Sequence, residues 1–439
     1  MKKVRKIIVI IFIVIVIVIG ALSVFLLSKV PYDNLTAGIV SNVANPPGFM
    51  LSNAISKSGK DRTYKNLPNI LQFKNGDTVD TVEEMELRKT EIVELFKENV
   101  YGEVPNYAYE LSYNVIEEDK SAINGLATRK QVEITITTKL GKSSATLLMY
   151  IPNNIETAAT FLALNVGGNL TVYNDDKIIA TDLIDDKKVD ELRGSKSDRW
   201  PVEKIINSGY IFTTIHCDDF APNNSDYNSR WIKIFGGDSK TEEFKTIAAW
   251  SFGLSKTIDY LVTEKSVDAE KIMTVGHSRF AKASLWAAAQ DERIAVAFAN
   301  SSGTVGSSLS RENTGEPVSA INFLFKNWFV DKFDEYSKNE ESMEFDQHML
   351  LAAIAPRKVY LSNGTIDFWA DPVGEYESLK LAASALNIYG YNSTLAKEKP
   401  GADYPIHTEY FGWHNVDRNH NIGTDNWEYY LDYVNEFLN

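Results

Sequence analysis

Ile272-Met-Thr-Val-Gly-His-Ser-Arg-Phe-Ala-Lys282 sets a serine between an apolar run and a helix-forming run that continues through Ala283, Leu285, Trp286 and Ala287. A serine so placed occupies a sharp strand-to-helix turn, with its hydroxyl exposed beside first-turn N–H groups that have no acceptor within the helix. Those donors and the helix dipole stabilise the oxyanion that forms when a hydroxyl adds to an acyl carbon. The general pattern of such a turn is Gly-x-Ser-x-Gly. Gly276 and Ser278 fit it, and Phe280 stands in the place of the second glycine. Ser278 is therefore the candidate nucleophile.

Working outward, short apolar runs at 161–165, 210–215, 272–275, 295–299, 358–362 and 406–411 alternate with helical patterns. The helices open at Trp200-Pro201, span about 242–262, follow Ser278, and begin near Gly374 and Asp425. Strand-helix alternation predicts a mostly parallel, doubly wound central sheet between helical layers, the three-layer α/β-hydrolase sandwich. Upstream, Thr81 and Glu84 form a capping-box signal. Met85, Ile92, Leu95 and Phe96 then mark one helical face up to Tyr101-Gly102. Val132, Ile134 and Ile136 alternate with polar residues and 145–151 is nearly all apolar, which predicts strands paired as hairpins.

An α/β-hydrolase supplies its partners in the chain order serine, acid, histidine. The segment Asn363-Gly-Thr-Ile-Asp367-Phe-Trp369-Ala-Asp371-Pro372 follows a predicted strand and offers two carboxylates at the end where such sheets bind ligands. Asp371, before a proline, reads as a turn or helix cap. Asp367 is open between capping and catalysis. Of six histidines, His414 and His420 are expected between the last strand and the final helix, and His420 lies on the more polar stretch. A serine hydroxyl needs a base, and histidine is the usual one. His277 is expected to point away from its neighbour Ser278, and His216 and His348 read as structural.

Lys and Arg total 45 against 59 Asp and Glu, a net charge of −14 with no basic tract, which excludes a nucleic-acid partner. The single cysteine, Cys217, cannot form a disulfide within the chain, and its apolar setting favours an inert thiol. The motifs of zinc proteases, paired-cysteine sites, P-loops and dinucleotide folds are missing, so neither metal nor cofactor is expected.

Residues 7–27 carry no charge, long enough to cross a hydrocarbon core of roughly 30 Å. Four basic residues precede them and only Lys29 follows closely, so the positive-inside rule predicts a single-pass anchor with the remainder extracellular. Signal-peptide cleavage and secretion is the alternative. The expected organisation is an anchor over 1–29, a linker or arm over 30–66 and one catalytic domain over 67–439, acting as a monomer.

Several longer strings resemble the glucuronoyl esterases of carbohydrate esterase family 15, from about residue 67 to the C-terminus. They are Glu94-Leu-Phe-Lys-Glu-Asn-Val-Tyr-Gly102, Arg193-Gly-Ser-Lys-Ser-Asp-Arg-Trp-Pro-Val-Glu203, Gly276-His-Ser-Arg-Phe-Ala-Lys282, Asp346-Gln-His-Met-Leu-Leu351, Ala355-Pro-Arg-Lys358, Trp369-Ala-Asp-Pro372 and the 414–420 loop. The resemblance implies an α/β-hydrolase that cleaves the ester between (4-O-methyl-)glucuronic acid on xylan and an alcohol of the plant cell wall. It implies Ser278 as nucleophile, His420 as base, and Arg279 as a side-chain contributor to the oxyanion hole. Lys282 and Glu316 would bind sugar hydroxyls, and Trp369 would pack on the uronate ring. Lys282 follows Ser278 by one helical turn, hence on the same face.

Two positions depart from the family pattern. Ala281 replaces a glycine, which a helix interior tolerates. Ser301, in Asn300-Ser-Ser-Gly303, stands where many members carry a catalytic glutamate. The acid is therefore assigned to Asp367, with Glu316 as the alternative. Rival readings are a carbohydrate acetyl esterase or general esterase on the same fold, and a catalytically inactive, membrane-tethered glycan-binding protein.

Overall fold

The computed structural model describes residues 62, 64–224, 228–236, 244–392 and 394–438. The expected anchor and nearly all of the arm lie outside the described residues, among which no helix is long and apolar enough to cross a membrane.

The strands are β1 (Tyr109–Ala122), β2 (Ala127–Thr138), β3 (Gly141–Pro152), β4 (Ala158–Asn165), β5 (Ile211–His216), β6 (Val267–His277), β7 (Ile294–Asn300), β8 (Lys358–Gly364), β9 (Ile406–His407) and β10 (Phe411–Val416). They form one sheet in the order β1-β2-β3-β5-β4-β6-β7-β8-β10-β9. From β5 to β10 every neighbour pair is parallel, as strand-helix alternation requires. The hairpin strands β1 to β3 add an antiparallel flank joined to β5, and β9 is a short antiparallel edge. The sheet is thus mixed, with a parallel centre.

The main helices are α1 (Val82–Phe96), α2 (Val202–Asn207), α3 (Thr246–Leu261), α4 (Arg279–Gln290), α5 (Val318–Leu324), α6 (Gln347–Ile354), α7 (Pro372–Ile388) and α8 (Thr424–Phe437). Thr81 and Glu84 cap α1 reciprocally, as their spacing predicts. Successive strand residues face opposite sides of the sheet, so each strand feeds two cores. Leu147, Leu162 and Ile272 pack with Ile92 of α1, Trp250 of α3 and Leu285 of α4. Leu148, Phe161 and Met273 pack on the other face with Ile205 of α2 and Trp427 of α8. All eight residues of β4 are buried, as a strand covered on both faces must be.

The last strand differs from the sequence expectation. The 406–411 run yields only β9, because Thr408 and Phe411 close a turn on each other. The buried strand beside β8 is the less apolar Phe-Gly-Trp-His-Asn-Val that begins at Phe411. Gly412 is needed there: an added Cβ would lie 1.9 Å from the Tyr360 ring. His414 is consequently inside β10, not on the loop after it. Its polar ring is tolerated because Nδ1 bonds the Tyr360 hydroxyl at 2.9 Å and Nε2 accepts from Asn426 at 2.8 Å.

Candidate active site

Parallel strands end at one edge of the sheet, and β6, β8 and β10 deliver one catalytic-type side chain each to that edge. Ser278, at the β6–α4 turn, has φ 58° and ψ −124°, a conformation that a non-glycine residue adopts only when its surroundings enforce it. Its N–H bonds Asn300 O at 2.8 Å, and Ala281 N closes the turn on Ser278 O at 3.0 Å. Gly276 cannot carry a side chain, since a Cβ would sit 2.2 Å from Phe280 O. At the second-glycine position, the Phe280 side chain packs away from the turn against Trp250, ring centroids 5.1 Å apart. The pattern tolerates phenylalanine because α3 provides a place for it.

The loops after β8 and β10 run side by side. Thr365 N bonds Val416 O at 2.9 Å, Ile366 N bonds Arg418 O at 3.2 Å, and the Thr365 hydroxyl reaches Asp417 at 2.8 Å. Gly364 permits this approach, because a Cβ there would lie 2.3 Å from Arg418 O. Arg418 in turn pairs with Asp425 at the start of α8. The stitched loops hold His420 between two partners: Nδ1 is 2.7 Å from Asp367 Oδ2 and Nε2 is 2.9 Å from Ser278 Oγ. An ionised carboxylate only accepts, so Nδ1 carries the proton and the Nε2 lone pair faces the hydroxyl. Burial acts to raise the Asp367 pKa, but the adjacent His420 and the Ala370 N–H outweigh it and hold the carboxyl below its ordinary range. Asp371 caps α7, as its place before proline suggests.

Ser301, at the end of β7, bonds Ser362 O of β8 through its backbone N–H at 2.8 Å. The position that could have carried an acid is filled by a neutral side chain, and Asp367 approaches the histidine from the neighbouring strand end.

Lys282 and Glu316 meet in the interior, Nζ to Oε2 3.6 Å, with both side chains buried. Burial drives both toward their neutral forms, lowering the Lys282 pKa and raising that of Glu316, against their mutual attraction. Lys282 also donates to Ser302 O, and Gly303 lies against the pair. The Trp369 side chain is half-buried and close enough to Glu316 to favour its ionised form, and Glu316 N bonds Trp369 O at 3.0 Å. His420 lies close enough to Glu316 to act on its titration, yet the histidine's own carboxylate partner is Asp367. Arg279 opens α4, partly exposed, with its guanidinium carbon 5.3 Å from the Phe280 ring centre.

Two residues near the site escaped sequence reasoning. Glu375 accepts from Gly303 N at 2.5 Å, from the Ser302 hydroxyl at 3.1 Å and from Asn363, so it supports the wall beside Lys282. Burial pushes its pKa up to about 7. His277 does not point away from the chemistry: its ring packs on His420 with centroids 4.6 Å apart and the planes tilted by 46°. Asn300, whose amide N–H donates to Ser362 Oγ at 2.9 Å, accepts His277 Nδ1–H at 2.6 Å and turns the ring that way. Burial, with His420, Arg199 and Arg279 nearby, holds the His277 pKa well below its usual value.

His348 bonds Pro68 O at 2.9 Å and is buried, in keeping with a structural role. The donor atoms of His216, Cys217 and Asp218 lie within 4.8 Å of one another. Burial keeps that thiol protonated, and Sγ contacts Asp218 Oδ1 at 3.2 Å.

A family model described as fungal glucuronyl esterase matches residues 201–390. A carbohydrate esterase from an unknown prokaryotic organism is 34% identical over 388 residues, covering 85% of this chain and 89% of its own. Among solved structures, a promiscuous esterase of carbohydrate esterase family 15 from the marine bacterial metagenome superposes with TM-score 0.78 at 33% identity, over 85% of this chain and 97% of that one. A glucuronoyl esterase from Solibacter usitatus gives 0.79 at 31% identity, over 87% and 99%.

Proposed function

Since the chain belongs to the glucuronoyl esterases of carbohydrate esterase family 15, a family of carboxylic ester hydrolases, we propose that it hydrolyses esters of (4-O-methyl-)glucuronic acid on xylan through an acyl-enzyme on Ser278. The observation that carries the substrate reading is the buried Lys282–Glu316 pair with Trp369 beside the serine and histidine. A general esterase has no need of a buried cation and carboxylate beside its serine, whereas one that binds sugar hydroxyls does.

In the proposed reaction Ser278 Oγ adds to the uronoyl carbonyl while its proton passes to His420 Nε2. Asp367 holds Nδ1–H and stabilises the imidazolium. First-turn N–H groups of α4 and the Arg279 side chain receive the oxyanion. The intermediate collapses, the C–O bond to the alcohol breaks, and His420 returns the proton to the leaving oxygen. Water, deprotonated by the same nitrogen, then releases the uronate and regenerates Ser278. Lys282 and Glu316 bind hydroxyls, and Trp369 covers the ring.

With Asp367 hydrogen-bonded to His420, the reading of an inactive glycan-binding protein loses the missing acid that motivated it. Product analysis on benzyl glucuronate and on acetylated xylan tests the substrate class. Release of glucuronic acid and benzyl alcohol is expected; acetate release alone would replace uronate by acetyl as the acyl group. The charge-free stretch 7–27 supports an enzyme tethered to the membrane and facing outward. Recovery of the mature chain from the medium, cleaved after that stretch, would argue for secretion.

A further inference from the structure

Arg62 lies in the region whose composition reads as a featureless arm, yet its guanidinium is inserted between two loops of the hydrolase domain. Nη1 donates to Asp371 Oδ2 at 2.7 Å, and Nη2 donates to Asp371 Oδ1 at 2.8 Å and to Thr314 Oγ1 at 2.8 Å. The Arg62 side chain is 12% exposed and that of Asp371 1%. This is a forked ion pair out of water, a geometry a guanidinium forms and an ammonium does not. Desolvation works against the charge on Arg62, but Asp371 more than restores it and the pKa is raised. Tyr64, from the same segment, lies beside the pair, and burial lifts its phenol to about 12, so it remains neutral.

What Arg62 holds is more telling than how it is held. Thr314 lies two residues before Glu316, and Asp371 two residues after Trp369. Thr314 itself donates to Asp371 through its N–H at 3.2 Å and its hydroxyl at 3.0 Å, and Glu316 N bonds Trp369 O at 3.0 Å. Between them Gly315 packs against the Trp369 carbonyl, where a Cβ would come within 2.2 Å. The loops bearing Glu316 and Trp369 therefore meet at one junction. The forked bonds of Arg62 close its far side, and Asp371 passes that constraint into α7 as its N-cap.

We propose that Arg62 is a positioning residue of the uronate subsite, clamping the 314–316 loop to the 367–371 loop so that Glu316 and Trp369 are held in place to receive the sugar ring. The proposal rests on the reading of Glu316 and Trp369 as that subsite. It makes the arm part of the specificity apparatus.

The test uses the full chain with Arg62→Ala, Arg62→Lys and Thr314→Val, assayed on benzyl glucuronate and on p-nitrophenyl acetate, which has no sugar to place. For Arg62→Ala, KM on benzyl glucuronate is expected to rise about tenfold with little change in kcat, because a displaced subsite weakens placement of the ring. The loss on benzyl glucuronate should exceed the loss on p-nitrophenyl acetate by about that factor. Arg62→Lys, keeping the charge without the fork, should fall between. Thr314→Val removes one side of the junction without stranding a buried charge, and should shift KM the same way even if Arg62→Ala fails to fold. Equal losses on the two esters, or a wild-type KM in both Arg62→Ala and Thr314→Val, would overturn the proposal. A wild-type chain that cleaves p-nitrophenyl acetate but not benzyl glucuronate would overturn the uronate reading, and the proposal with it.

Discussion

Asp367 lies 2.7 Å from His420 Nδ1 while Ser301 fills the place of a glutamate, so the carboxylate comes from β8 and not from β7. Asp367→Asn should lower kcat by roughly 10⁴, since an amide favours the wrong imidazole tautomer, while Glu316→Gln should chiefly raise KM on the uronate ester. Steady-state kinetics on benzyl glucuronate separate the two, and the reverse ranking would move the acid to Glu316. Glu375 gives a pH signature. Its folded-state value of about 7 lies above the ordinary 4.5, so between those pH values the folded chain binds more protons than the unfolded one. Stability therefore falls as pH rises through that window, by a few kcal/mol as an order of magnitude. Glu375→Gln, with Asn363 turning its amide oxygen toward the new donor, should flatten Tm between about pH 4.5 and 7, measured by thermal melts. The order Ser278, Asp367, His420 was legible from chain order alone. Glu375 was not, because a carboxylate in the first turn of a helix reads as a solvated end until tertiary contacts bury it.

Among the elements, the β6–α4 turn was the most legible, because a local pattern is enough to define a strand-to-helix elbow. The loss of its second glycine has an element-level explanation in the Phe280–Trp250 contact. Phe280→Gly, which restores the general pattern, should destabilise the fold by about 3–5 kcal/mol through the cavity left against α3. Denaturant melts measure this, and a neutral result would show that the ring is dispensable. The β10 strand was misplaced because hydrophobic periodicity is its usual signal, and here a glycine, a histidine and an asparagine occupy a strand buried throughout. Both His414 nitrogens bond Tyr360 and Asn426, and the Asn415 amide N–H donates to Pro400 O, all residues distant in sequence. The same distance effect hid the His277–His420 contact: local turn geometry suggests divergence, whereas the Asn300 bond and the returning His420 loop decide the ring's direction.

At the scale of the molecule, strand-helix alternation foretold the parallel centre of the sheet, and the alternating upstream runs foretold the antiparallel hairpins of β1 to β3. The arm expected before residue 67 is tied to the hydrolase through Arg62. The arm carries no sustained periodicity, so nothing local marks the arginine that docks. The serine, the histidine on its stitched loop and the paired Lys282–Glu316 converge on one claim, uronoyl ester hydrolysis through Ser278. Its most direct measurement is turnover of benzyl glucuronate by the wild-type chain and by Ser278→Ala, with glucuronic acid identified by mass. The account predicts glucuronic acid from the wild type and a loss on the order of 10⁶ in kcat for the variant, with its fold intact. Undiminished glucuronic acid release by Ser278→Ala would contradict it.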